Sequence, residues 1–194
     1  MLAFLAVALI PARAQAPVTP PTPIDPALLA KANAGDLAAE LKAADAYAAG
    51  NGAPRDPRQL AADYQQAALF YRKAAGQGSI PAQIHLADLY RDGRGVTRDT
   101  AQAAAWYRKA AEQGDPGAQG TLGILYSVGM GVTRDDVEAY FWLDLATAVP
   151  GPNQARYIAN RQSVGEHITT DQQSQVEDRV AAWKAAHPRP TPAQ

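Results

Sequence analysis

The residues with the most obvious chemical capacity are few and scattered. His85, His167 and His187 are the only histidines, and no two of them stand three or four positions apart, the spacing that puts two imidazole ligands on one helix face. The serines are Ser79, Ser127, Ser163 and Ser174. None has a lysine three residues later and none lies in Gly-x-Ser-x-Gly, so no activated hydroxyl is written into the chain. Cysteine is absent, which removes disulfides, thiolate metal sites and cysteine nucleophiles. Asp56, Asp99 and Asp135 are candidate acids or ligands, but each precedes a Gln or Glu by three residues: Gln59, Gln102 and Glu138. That is the spacing of a helix capping box, in which the aspartate accepts from backbone N–H groups. Gly93-x-Gly95 and Gly129-x-Gly131 are not followed by Gly-Lys-Ser/Thr, so they read as helix-ending turns rather than phosphate loops. The chain is therefore expected to have no catalytic residue, bound metal or cofactor.

The elements that carry these residues repeat. Tyr71-Arg72-Lys73-Ala74-Ala75 recurs 36 positions later as Tyr107-Arg108-Lys109-Ala110-Ala111, and Gly95-Val96-Thr97-Arg98-Asp99 recurs unchanged as Gly131-Val132-Thr133-Arg134-Asp135. Leu86, Tyr90, Gly78 and Trp106 map onto Leu122, Tyr126, Gly114 and Trp142 at the same offset. Self-similarity at a fixed period of this length marks a repeat architecture. An earlier copy lies at an offset of 43, where Gly35, Ala39, Tyr47, Gly50, Gly52 and Asp56 match Gly78, Ala82, Tyr90, Gly93, Gly95 and Asp99. The seven extra residues fall between Asp56 and Tyr71. They are close to two helical turns, so they lengthen a helix without turning its buried face away.

Each unit predicts two helices. Ala82, Leu86, Leu89 and Tyr90 form one apolar stripe, glycines close both helices, and Ser79 or Asp115 opens the next unit. The units are expected at about 35–78, 79–114 and 115–148, within a 27–148 solenoid. Ala27 to Ala34 forms an N-terminal cap helix. After Pro150-Gly151-Pro152 come capping helices within 149–186: one over Asn153 to Glu166, and one opened by Thr170-x-x-Gln173 and ending near Ala186. Ile168, Val176, Val180 and Trp183 form the inward side and approach of the last.

Composition agrees with an all-α fold, because much of the 47% apolar content is alanine. With 18 basic and 19 acidic residues, no strong field exists to hold nucleic acid. Leu2 to Ile10 is an apolar run followed by Ala12-Arg13-Ala14, which reads as a signal peptide over 1–14 cleaved after Ala14, although no Lys or Arg precedes the run. Nine apolar residues are too few for a membrane span, which needs about 20. Residues 15–26 are a proline-rich linker, five of the ten from Pro17 to Pro26 being proline, and 187–194 is a proline-rich disordered tail.

The pattern carried by Leu86-Ala87-Asp88-Leu89-Tyr90, Gly93, Gly95, Val96, Asp99, Trp106 to Gly114, Ala118 and Gln119 resembles the Sel1-like repeat family, a relative of the tetratricopeptide repeats. The resemblance covers about residues 35 to 148. It implies a right-handed α/α solenoid that works as a periplasmic or secreted adaptor, holding a protein or peptide partner on its concave face. Some secreted, cysteine-rich relatives act on or bind β-lactams, and this chain departs from them in lacking cysteine. A weak envelope hydrolase or a structural spacer are the rival readings.

Recurring aromatics are expected in the core. Recognition belongs to positions that vary between copies on the first helices, which by this resemblance line the concave side. Those are Ile84, His85, Asp88 and Arg91, with Gly120, Thr121, Ile124 and Ser127 equivalent to them.

Overall fold

A computed structural model describes residues 24–49 and 56–188. These residues form nine helices and no strand: α1 (Pro26–Asn33), α2 (Leu37–Ala49), α3 (Pro57–Gly76), α4 (Ile80–Asp92), α5 (Thr100–Glu112), α6 (Pro116–Val128), α7 (Asp136–Thr147), α8 (Gln154–Gly165) and α9 (Thr170–Ala186). Helices α2 and α3, α4 and α5, and α6 and α7 pair within units, α3 and α5 each pack on the first helix of the next unit, and α7 packs on α8. The result is an all-α repeat solenoid. The proposed signal segment, most of the linker, Gly50, Gly52 and residues 189–194 lie outside the described residues.

Helix ends follow the local chemistry. Gly93 and Gly129 end α4 and α6 in the left-handed conformation, at φ of 70° and 69°. Gly95 and Gly131 also have positive φ, and a Cβ on either would enter the space of a neighbouring backbone: Tyr64 of α3 for Gly95, Thr100 of α5 for Gly131. The turn of each unit is therefore seated on the second helix of the unit before it, a contact that requires glycine.

Asp56, Asp99 and Asp135 accept from backbone N–H groups at the starts of α3, α5 and α7. The expected reciprocal half of the capping box is not formed at α3, α5 or α7. Gln59 donates to Asp63 at 3.1 Å and Glu138 accepts from Arg179 at 2.6 Å, so longer-range partners have taken those side chains. A complete box opens α9, one residue earlier than expected: Thr169 with Gln172, because Gln173 reaches back to the carbonyl of Gly165 at 2.7 Å.

Helix α3 has 20 residues and α5 has 13, a difference of seven that matches the insertion. Asp63 lies 36 positions before Asp99, yet it sits buried inside α3. Residues 56 to 62, all exposed, extend the helix ahead of it.

Recurring polar residues tie the units together. The buried amides of Gln83 and Gln119 donate to the carbonyls of Ala75 and Ala111, each in the last turn of the preceding helix. Buried Glu40 holds the equivalent place in the first unit and accepts from Gln77 at 2.8 Å. Arg72 donates to the Tyr90 hydroxyl at 2.9 Å, and Arg108 donates to that of Tyr126. Tyr71, Tyr107, Tyr126 and Trp142 are buried as expected, and Tyr90 and Trp106 are half-buried.

The C-terminal helices close the stack. Tyr157 of α8 covers Gly120, where any side chain would collide with its ring. Helix α9 lies against α7, with Val176 and Val180 buried and Arg179 4.5 Å from the Phe141 ring centroid.

Candidate functional site

The structure divides the expected recognition residues. Ile84 and Ile124 are partly buried against the core. The hydroxyls of Thr121 and Ser127 donate to carbonyls of their own helix, those of Gly117 and Ile124. Gly120 is buried under Tyr157. His85, Asp88 and Arg91 come together on one side of α4, where they line a cleft of about 210 Å³ with Tyr64, Tyr71 and Arg94.

The cleft is a connected polar cluster. Asp88 accepts from the Tyr107 hydroxyl at 2.5 Å and pairs with Arg91 at 2.7 Å. Arg91 also donates to the Tyr107 oxygen at 2.7 Å and pairs with Asp92 at 2.9 Å. Asp92 holds Arg94 at 2.6 Å, and the Arg94 guanidinium lies 5.8 Å from the Tyr64 ring centroid. On the other wall, Tyr71 donates to Asp45 at 2.6 Å and its ring meets that of His85 at 5.0 Å.

Burial, and then the bond to a carboxylate, pushes the Tyr71 and Tyr107 phenols well above the ordinary tyrosine range. They remain neutral donors. The hydrogen bond from Arg91 holds the Asp92 carboxyl below its usual range, and the same bond raises Arg91. The cleft thus presents fixed charges, hydrogen-bonding edges and ring faces. Among the described residues no group of His, Asp or Glu is arranged to hold a metal ion.

Asp45, Tyr64, Arg94 and Tyr107 are site members that sequence reasoning did not single out. For Asp45 and Tyr107 the signal lay in paired changes between copies. Asp45 and Asp88 are equivalent, as are Tyr71 and Tyr107, so the Asp–Tyr bond occurs twice. At the next equivalent positions both partners change together, to Ile124 and Leu143.

The profile of the Sel1 repeat family matches residues 37–79, 80–115 and 116–148, more than half of the chain. A Sel1 repeat protein from Oxalobacter formigenes is 31% identical, with a TM-score of 0.57 over 71% of this chain and 96% of that one. A protective antigen of uropathogenic Escherichia coli strains, displaying an SLR fold, is 26% identical, with a TM-score of 0.58 over 86% of this chain. The present chain spans 44% of that protein's length. Among curated proteins nothing matches. Sel1 repeat proteins generally mediate protein–protein interaction and are generally non-catalytic scaffolds. No described helix is long and apolar enough to cross a membrane. Three consecutive family matches coincide with three helix pairs joined by repeated caps, turns and buried amides, and the chain belongs to the Sel1 repeat family.

Proposed function

We propose that this chain is an exported interaction scaffold that holds a protein or peptide partner on the side formed by α2, α4 and α6, with recognition centred on His85, Asp88 and Arg91. The observation that carries the reading is a contrast between copies. The frame of caps, turns and buried amides recurs, while one position on the first helices changes from the half-buried Asp88 cluster to apolar Ile124. Packing needs only one of these solutions, so the polar one is available for specificity. Its members are already bonded in place, so a partner meets a preformed surface and little ordering entropy is lost. Export rests on the apolar segment from Leu2 to Ile10 and the small residues that follow it.

The test is crosslinking and affinity capture of the full-length chain in its native cells, with mass spectrometry of bait and captured proteins. A partner set lost on Asp88→Ala with Arg91→Ala, in variants that keep their helicity, is expected. The bait should begin near Gln15 and lie outside the cytoplasm. Capture indifferent to those substitutions overturns the face assignment, and a cytoplasmic bait beginning at Met1 overturns export.

A further inference from the structure

A second groove, of about 520 Å³, lies beside the cleft and shares Arg91, Asp92 and Arg94 with it, adding Arg98 and Met130. We infer that this groove recognises an acidic segment of a protein partner that carries a large apolar side chain next to its carboxylates. The inference rests on the scaffold reading and names the chemistry of the partner.

Equivalent turns of the second and third units differ in charge. In the third unit Arg134 is bridged to Asp136, with N···O distances of 2.9 and 3.2 Å. In the second unit Thr100 stands where Asp136 would be, so Arg98 has lost the carboxylate its counterpart holds. Among the described residues no acidic side chain lies within ion-pair distance of Arg98. The nearby Asp99 is committed to capping, its side chain accepting from the backbone of Gln102 at 3.0 Å. Arg94 shares Asp92 with Arg91, and its side chain is 54% exposed. The groove lining thus carries three guanidinium groups against the single carboxylate of Asp92. Asp88 lies outside that lining and bonds Arg91 from the cleft side.

The other half of the surface is apolar by the same comparison. Asp92 and Arg94 are replaced in the third unit by Val128 and Met130, which are 60% and 39% exposed, and of these Met130 lines the groove. Neither contributes to the core, and both sit at a turn whose backbone is fixed by Gly129 and Gly131. Unpaired guanidinium next to rigidly presented apolar surface fits a ligand with carboxylates on one side and a large hydrophobic group on the other. Basic or purely apolar segments would leave Arg98 without a partner and the excess positive charge of the groove unmet.

The experiment is selection of a phage-displayed library of random 12-residue peptides on the full chain. It is followed by binding of the enriched peptides, made synthetically, to the unaltered protein, to Arg94→Glu with Arg98→Glu, and to Met130→Asp. These side chains are exposed, and the one ion pair among them, Arg94 with Asp92, is of the kind that contributes little to stability, so melting temperatures should hold. Expected are peptides of net negative charge containing a large apolar residue. Affinity should fall at least tenfold in either variant and weaken with added salt. Enriched peptides of another chemistry, or acidic ones whose binding survives both variants, overturn this inference and leave the scaffold reading standing. Failure to enrich any peptide counts against both.

Discussion

At the scale of single residues, the bond between Asp88 and Tyr107 is a polar solution to a position that the next unit fills with Ile124 and Leu143. Tyr107 is almost fully buried, so removing its acceptor strands a hydroxyl, and removing the hydroxyl strands part of Asp88 and Arg91. Asp88→Ile and Tyr107→Phe should each cost about 2 kcal/mol, the range for hydrogen bonds to charged groups. The double variant should cost less than their sum by about 1 kcal/mol or more, since neither partner then remains unmet. Urea unfolding of the four proteins measures this coupling, and strict additivity would refute it. The same cluster sets how stability depends on pH. The folded pKa values of Tyr71 and Tyr107 lie above the unfolded value of about 10, so their contribution is complete below that pH and is lost as pH rises beyond it. Asp92 is shifted the other way, so its contribution is present above the ordinary carboxylate value of about 4 and is lost as pH falls below it. Thermal melts from pH 3 to 11 should show a plateau between these limits. Tyr107→Phe should flatten the alkaline limb and Asp92→Asn the acidic one.

At the scale of elements, the unit-to-unit joint depends on backbone approach at two glycines. Gly95 and Gly131 combine positive φ with a neighbouring backbone in the place a Cβ would occupy, whereas Gly78 has a φ of 91° but open space around it. Gly78→Ala therefore carries only conformational strain, about 1–2 kcal/mol. Gly95→Ala and Gly131→Ala add a clash with a helix backbone, which overpacking puts at about 1–3 kcal/mol more. Chemical denaturation should rank both below Gly78→Ala, and equal losses would mean that the turns are not rigidly seated. This joint was legible as the repeated Gly-Val-Thr-Arg-Asp string, although its partner was not, because the residues beneath it, Tyr64 and Thr100, share no side-chain type. The helix pairs, the terminal glycines and the two-turn insertion could also be read from spacing, since each has a local physical cause. Partners far along the chain were less visible. Glu138 looked like half of a capping box because its spacing to Asp135 is right, and only the placement of α9 reveals Arg179 as its partner. For the same reason the cleft was half legible: His85, Asp88 and Arg91 lie on one helix, while Tyr64, Tyr71 and Tyr107 come from two others.

At the scale of the whole molecule, the buried surface is unevenly distributed along the stack. The buried hydrophobic residues of α1 and α2 are alanines: Ala32, Ala39, Ala43 and Ala44. Helix α7 buries Tyr140, Phe141, Trp142, Leu143 and Leu145, and α8 and α9 add Tyr157, Val164, Val176 and Val180. Between these regions a small cluster of Ala87, Ala103, Ala104, Tyr107 and Leu125 links the two larger ones. In a solenoid each unit touches only its neighbours, so stability is close to a sum of local terms and need not be lost all at once. Apolar burial contributes roughly 25 cal/mol per Å², and an alanine offers little area compared with a tryptophan or tyrosine. The N-terminal pair should consequently open first and the end built on α7 last. Hydrogen exchange read by mass spectrometry should find α1 and α2 exchanging fastest and α7 slowest among the described helices. The tryptophans give an independent reading, because Trp142 and Trp183 report on the C-terminal region and Trp106 on the middle. Loss of helical circular dichroism in urea should therefore begin at lower denaturant than the change in tryptophan fluorescence. Coincident transitions, with α2 as protected as α7, would mean that the Ala87–Tyr107 joint transmits cooperativity despite its small residues, and that the stack unfolds as one unit.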